Sequence, residues 1–380
     1  MLFEAYHPFV PRDRLAQILA KYQVGERTDD PISPAPVEFT FDSPFRRDLV
    51  ECVHAYFQAL GRRSGRSVAE ATKCPPQRSV ALAVGGAVYV VLHLFGMCGW
   101  WWGEALGSIV DWVWGVNVFH DAMHFALTPQ QRVNEGIGYL FPMFVHPFDW
   151  QHQHNVGHHS YTNVPHHDPD LNVGYPLVAL RPHSSKRRPT SWIHARIAAF
   201  MTLGLTMIVL ILPWHQYTCD KLHGAVPWRW EMLGPRWRWW IGVPKGIYLI
   251  GWWVLPILHY GVGWTVAFRT AFSCLFMLYT QVGHVHPHCQ SKPQSCWAQH
   301  QVETTSDFAH SSLLQYTLSG GLNFQVVHHL FPGINHGHHR ALAPIIARVC
   351  LKHGVRYRIF DSLVDAVRST YDHISVLTGV

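Results

Sequence analysis

The sequence is poor in charge. Asp, Glu, Lys and Arg together make up 14% of its 380 residues, against roughly 25% in ordinary soluble domains. That scarcity argues against a disordered chain, a coiled coil or an ordinary cytosolic enzyme. Acids are scarcest of all: 24 Asp and Glu are outnumbered by 29 His. Its eight cysteines contain no Cys-x-x-Cys pair, so they read as reduced, structural thiols. Met1-Leu2-Phe3-Glu4 lacks a basic segment followed by an apolar core, and no cleaved signal peptide is expected. No internal repeat is visible. Net charge is +6, but the basic residues form short clusters between apolar runs rather than one stripe. That makes nucleic acid a poor partner and anionic membrane lipid a better one. What is plentiful is apolar and aromatic: 48% apolar residues, with 17 Trp, 14 Tyr and 20 Phe. Such amphipathic rings favour membrane–water boundaries.

The runs without charge set the organisation. Residues 1–78 are polar and mixed, with a short amphipathic helix expected from Asp48 to Leu60. Ser79 to Gly103 holds no Asp, Glu, Lys or Arg over 25 residues, enough to cross a hydrocarbon core that takes about 20 in a helix. Trp100-Trp101-Trp102-Gly103 reads as an aromatic turn, and Ala105 to Phe119 returns across, interrupted by Asp111. Residues 79–119 thus predict a first transmembrane hairpin. Residues 120–195 are polar and rich in His, with Arg181, Lys186, Arg187 and Arg188 near their end. Cationic loops stay cytosolic, which places this segment there.

Residues 196–283 hold three further apolar stretches: Ile197–Trp214, Val243–Tyr260 and Val262–Gly283. In one arrangement the first lies in the interface and the other two form a hairpin turning at Gly261, which buries Arg269. In the other, residues 197–214 cross, 246–268 return, and 270–283 run along the surface. The positive-inside tendency favours the first. Both give four spans. Residues 284–380 are again polar and His-rich, ending in an amphipathic region over Asp361–Leu377.

Histidines cluster in three boxes: His120-Asp-Ala-Met-His124, His154-Asn-Val-Gly-His158-His159, and Gln325-Val-Val-His328-His329. Positions i and i+4 share a helix face, so each box can turn its imidazoles toward one ion. His284, closing the last apolar stretch, is a fourth contributor. Eight imidazoles exceed the needs of one ion, so two are implied. Neutral imidazole suits iron, zinc, copper and nickel. Structural zinc prefers four ligands with cysteines among them, and oxygen chemistry beside a lipid chain favours iron. Asp121, Asp168, Asp170 and Asp307 are candidates to support the ligands. A lone pair of histidines at a membrane interface is usually incidental, but three boxes on one expected face are not. His152, His166, His167, His286, His288, His336, His338 and His339 are read as supporting or incidental.

The three boxes resemble those of the membrane fatty acid desaturases. Gly320-Gly-Leu-Asn-Phe-Gln-Val-Val-His-His-Leu-Phe-Pro332 is similar to the third box of the front-end and sphingolipid branch, in which Gln replaces the first His. Gln151-His-Gln-His-Asn-Val-Gly-His-His-Ser-Tyr-Thr-Asn163 and Asp168-Pro-Asp170 fit as well. The resemblance runs from about residue 80 to residue 375. It implies an all-α membrane protein: four transmembrane helices in two hairpins, with a cytosolic helical cap carrying a di-iron site and a tunnel for an acyl chain. Carried over by position, the implied ligands are His120, His124, His154, His158, His159, His284, His328 and His329. Gln325 would ligate directly or hold a water. Asn163 and Asn323, inside the matching motifs, join the supporting set.

The implied reaction is O2-dependent desaturation of a lipid-linked or CoA-linked acyl chain, with two non-haem irons as cofactor and O2 as co-substrate. A hydroxylase or acetylenase on the same scaffold is the nearest rival. A histidine-rich metal transporter is the rival from another class, and it would carry His or acids within the spans. The implied location is multi-pass in the endoplasmic reticulum, with a plastid as the other possibility, and the active site faces the cytosol. Two departures stand out. Residues 1–78 hold no His-Pro-Gly-Gly haem segment, so electrons are expected from a separate donor of cytochrome b5 or ferredoxin type. Val327 stands where the branch often has Glu, and Val327→Glu is expected to be tolerated.

Overall fold

The computed structural model describes residues 2–21, 37–140, 147–165, 167–172, 178, 180, 192, 194–201, 243, 247, 250–289 and 294–378. Most of Ile197–Trp214 and five residues of Val243–Tyr260 lie outside these residues, as do His166 and the cationic cluster at 181–188.

Among the described residues, two helices are long and apolar enough to cross a bilayer: Pro76–Met97 and Val262–Gln281. Pro76–Met97 starts on a Pro75-Pro76 pair, where the missing amide hydrogens cost nothing. Its Val80, Val84, Val88, Val91 and Leu94 all stand exposed, an apolar column of the kind lipid covers. The chain reverses at Cys98–Trp100, with Gly99 at φ 90°, a conformation glycine takes freely. The second arm starts at Trp101. The expected aromatic turn is therefore shifted: Trp101 and Trp102 are already helical, because Gly99 makes the reversal by itself. A Cβ on Gly103 would sit 2.7 Å from Gly96 N, so the two backbones touch there.

The second arm runs without a break through Trp101–Trp114, a wide π-helical segment Gly115–Phe119 and the turn His120–Met123. It carries Glu104 and Asp111 into an apolar region, and Val262–Gln281 answers them with Arg269. The guanidinium lies 2.8 Å from Glu104 Oε1 and 3.3 Å from Asp111 Oδ2, and donates to Ser108 Oγ at 3.1 Å. His93 Nε2 meets the other Asp111 oxygen at 2.9 Å. The buried cation is thus paired from both sides, which removes the cost expected of a lone buried arginine. Helix Val262–Gln281 is preceded by Leu255–Tyr260, with Gly261 at φ 82° between them.

Helix Pro44–Ser64 packs onto the C-terminal third of the chain. Ser43 caps helix Pro44–Ser64 by accepting from Arg46 N, and Gly65 closes it at φ 66°. Phe45, Leu49, Val53, Phe57 and Gly61 recur every four residues and are buried. They pack with Trp297, Val302, Val327, Leu330, Leu342 and Ile346 from the C-terminal third. Helix His339–Lys352 lies in this cluster, and helix Leu363–Thr378 follows it. The only described sheet is a two-residue parallel pair, Asp307–Phe308 with Ile359–Phe360. A second apolar cluster, with Trp112, Phe119, Phe272, Phe276 and Met277, joins the long helices to the cap.

Candidate metal centre

The three boxes meet where the long helices end, and their nitrogens form two adjoining clusters. In the first, single ring nitrogens of His120, His124, His154 and His328 all lie within 4.8 Å of one another. In the second, the same holds for His158, His284 and His329. His159 joins the first: its Nε2 is 3.1 Å from His154 Nε2, which is itself 3.3 Å from His120 Nε2. The Gln325 amide belongs to the second, 2.8 Å from His284 Nε2 and 3.3 Å from His329 Nε2.

The local register differs from the regular helix that the spacing suggested. Gln151–His158 is π-helical, and in that wider coil residue i+5 comes over residue i. His154 therefore pairs with His159, and His158 swings across to His284 and His329, with centroids at 4.7 and 4.9 Å. Box three splits in the same way. His328 faces the first cluster and His329 the second, with ring planes at 90°. Box one keeps both imidazoles together, 4.5 Å apart, and in box two His154 and His158 stay stacked 5.3 Å apart, grouped with Asp170.

Burial keeps most of these rings neutral. Desolvation, reinforced by neighbouring imidazoles, lowers His120 to about 3 and pushes His124, His154, His159, His284, His328 and His329 well below the usual histidine range. His158 runs the other way. Burial opposes its charge, but Asp168 and Asp170 outweigh that and raise it to about 9.

Outer contacts settle which nitrogen faces inward. His158 Nδ1 donates to Asp168 at 3.1 Å, with Asp170 at 3.5 Å. His284 Nδ1 faces the Thr304 carbonyl at 3.4 Å, and His329 Nδ1 donates to Gln301 Oε1 at 3.0 Å. Each turns Nε2 inward, toward the second cluster. Trp150 stacks on His154 at 4.3 Å.

The other expected supports sit further out. Asn163 holds the backbone, donating to the carbonyls of His284 and Cys289. Asp307 accepts from Val326 N, starting the box-three helix, and from Tyr357. Asn323 donates to the Phe308 carbonyl. Neither Asp307 nor Asn323 is bonded to a box imidazole; both brace the turn that delivers box three. Asp121 turns from box one toward His336, 3.2 Å away, and accepts from Asn335. Burial raises Asp121 to about 7 against the pull of Arg78.

Gln301, Thr162, Trp150 and Tyr6 were not marked by the sequence, because none lies at ligand spacing. His336 and His339, read as supporting or incidental, form a further group with His328 within 4.8 Å.

The donor set fits a metal. His124 Nε2, both nitrogens of His328 and Gln325 Oε1 are buried without a hydrogen-bond partner, a costly state for polar atoms unless a cation meets them. Neutral, crowded imidazoles with inward lone pairs are what first-row transition ions bind. Below the clusters a narrow cleft opens toward the apolar helices between Trp112, Val116, Phe276, His120 and Gln325.

A buried imidazole cage at the ends of apolar helices is consistent with a metal-binding site. Known proteins narrow this. The family model for fatty acid desaturases matches residues 99–361. Acyl-lipid (8-3)-desaturase B of Dictyostelium discoideum is 27% identical over 99% of this chain and 82% of its own length. The acyl-lipid (8-3)-desaturase of Physcomitrium patens is 28% identical, covering 98% and 80%. The sn-1 linoleoyl-lipid 6-desaturase of Synechocystis is 28% identical, covering 67% and 74%. The chain belongs to the fatty acid desaturase family. It is an oxidoreductase that desaturates fatty acyl chains.

Proposed function

We propose that the enzyme is an O2-dependent front-end acyl-lipid desaturase with two irons held by the boxes. His120, His124, His154, His159 and His328 would hold one ion. His158, His284, His329 and Gln325 would hold the other. The observation that carries this is the pair of adjoining clusters of inward-facing nitrogens at the ends of apolar helices.

The irons would supply the oxygen activation and hydrogen abstraction that no side chain here can perform. The chain supplies the rest. Asp168, Thr304 and Gln301 fix the imidazoles. Trp112, Val116 and Phe276 wall an apolar cleft that orients the methylenes beside the cage and keeps water away. Two electrons per turnover come from a separate cytochrome b5 or ferredoxin type donor. Acyl chains attached to a lipid headgroup fit best, since the relatives above are all named for acyl-lipid or linoleoyl-lipid substrates.

The membrane reading follows. Four spans in two hairpins would put the cage on the cytosolic face of the endoplasmic reticulum. The acids within the first hairpin do not favour a transporter, because Glu104 and Asp111 are already paired with Arg269.

The test is purified protein in lipid with a reduced donor and labelled acyl lipid. The expected product is lighter by two hydrogens and forms only with O2. A product heavier by one oxygen would make the enzyme a hydroxylase, and no O2-dependent product across C16–C22 acyl lipids would overturn the proposal.

A further inference from the structure

Outside the boxes, the side chain that comes closest to a box imidazole from a distant part of the chain is Tyr6. We propose that Tyr6 is a positioning residue of the metal centre, holding the His124 ring through Nδ1 so that Nε2 faces the first cluster. This rests on the metal-binding reading above.

The Tyr6 hydroxyl lies 2.5 Å from His124 Nδ1, and the two rings are near-parallel at 18°. It is the hydrogen-bond partner found for that ring, since His124 Nε2 is buried and has none. The ring stands amid the first cluster, with centroids 4.5 Å from His120, 4.7 Å from His159 and 4.7 Å from His328. With the proton on Nδ1, donated to the phenolic oxygen, Nε2 offers its lone pair inward. With the opposite tautomer an N–H would point into a cage of lone pairs. Tyr6 thus does for His124 what Asp168 does for His158 and Gln301 for His329.

The helix that brings Tyr6 is held in place. Ala5 is 4% exposed in the apolar cluster of the cap. Arg46 donates to the Glu4 carbonyl at 3.2 Å, and Arg12 pairs with the Glu4 carboxylate at 3.1 Å. Phe125 meets the Tyr6 ring edge-on. Lys73 ties that wall together, donating to the Phe125 and Gly333 carbonyls at 2.9 and 3.0 Å.

A cavity of about 820 Å³ lies on this side, bounded by Tyr6, Phe9, Lys73, His124 and Asn155. No residue of the two long apolar helices lines it. Tyr6 stands where this cavity reaches the metal centre, so it orients His124 and narrows the opening to it.

The test uses the full-length protein loaded with Co2+ in lipid nanodiscs, with transfer to a chelator followed by visible absorption. Parent, Tyr6→Phe and Phe9→Leu are compared. Tyr6→Phe keeps the ring but not the oxygen, and Phe9→Leu alters the cavity without touching His124. The expected result is two ions in the parent, with one of the two lost about 10- to 100-fold faster in Tyr6→Phe. Phe9→Leu should match the parent. Loss rates within twofold of the parent in Tyr6→Phe would overturn the proposal. So would equal hastening of both ions, which reads as general loosening. A parent that binds fewer than two ions would instead overturn the metal-centre reading beneath it.

Discussion

His158 and His159 are adjacent in the chain, yet their rings lie 79° apart and serve different nitrogen clusters. His158 faces His284 and His329, while His159 faces His154 and His328 and also stacks on His329 at 4.3 Å, where the two clusters meet. The peptide between them links the two nitrogen clusters, so the proposal of two ions can be tested residue by residue.

Replacing one of the pair should remove one ion rather than both. His158→Ala is expected to empty the second position first and His159→Ala the first, each abolishing desaturation. Metal-to-protein ratio by elemental analysis, beside membrane extraction behaviour, checks this. Membrane insertion should persist, because these residues lie beyond the long apolar helices. Normal turnover in His158→Ala would refute the assignment.

Arg269 is the stability hinge of the helical region. Arg269→Met leaves the Glu104 and Asp111 carboxylates buried without their cation, a loss of about 3–5 kcal/mol. Neutralising all three with Glu104→Gln, Asp111→Asn and Arg269→Met should recover most of it. Thermal melting in detergent measures both, and a single variant that melts like the parent would show the pairing to be idle.

The metal-free protein should weaken as pH falls below about 6.5. His124, His154, His159, His284, His328 and His329 have folded pKa values depressed by burial. The unfolded chain then takes up protons that the fold refuses, and stability drops by up to about 1.4 kcal/mol per pH unit for each such ring. His158, raised to about 9, contributes oppositely: its stabilisation is full below the unfolded pKa and fades as pH climbs through 9. His120, lowered to about 3, adds a seventh ring to the loss. Asp121, raised to about 7 and so gaining its proton in the fold first, offsets part of it. Seven rings against two raised groups give a net loss on acidification. Melting temperature of the metal-stripped protein from pH 7.5 to 5 tests the slope, and bound metal should flatten it above pH 6.

Val327→Glu is expected to be harmful, contrary to the tolerance suggested by the branch pattern. Val327 is 0% exposed within the apolar cluster of the cap. A carboxyl there is desolvated, at a cost of several kcal/mol unless a partner reaches it. Lower expression and melting would show this, whereas parent-like melting would mean that a partner does reach it.

The sequence displayed the donors but not their partition. Spacing placed His120 with His124 correctly on one side, because that turn is α-helical. It also placed His154 near His158, whose rings stack 5.3 Å apart. It did not give the closer pairing of His154 with His159 or the reach of His158 to His284 and His329, because a π-helical turn is invisible in residue types. The amphipathic helix around Asp48–Leu60 was legible from its four-residue period. Its docking against Val327 and Leu330 was not, since tertiary contact leaves no local periodicity. Asp111 reads as an interruption in an apolar run until Arg269, 158 positions later, gives it a counter-ion. Tyr6 and Gln301 act across more than a hundred residues, or from a segment with no metal-ligand spacing, and only the assembled fold reveals them.

The wide coil Gly115–Phe119 sets the phase between the oily column and the first imidazole pair. Its looser winding decides which compass point His120 and His124 face at the end of the helix that starts at Trp101. Losing a single residue there would rewind the segment by roughly 100° and turn both rings away from the cage while every donor remained in the sequence. A homologue with intact boxes but a shortened Gly115–Phe119 segment would therefore keep the family's signature and lose its chemistry.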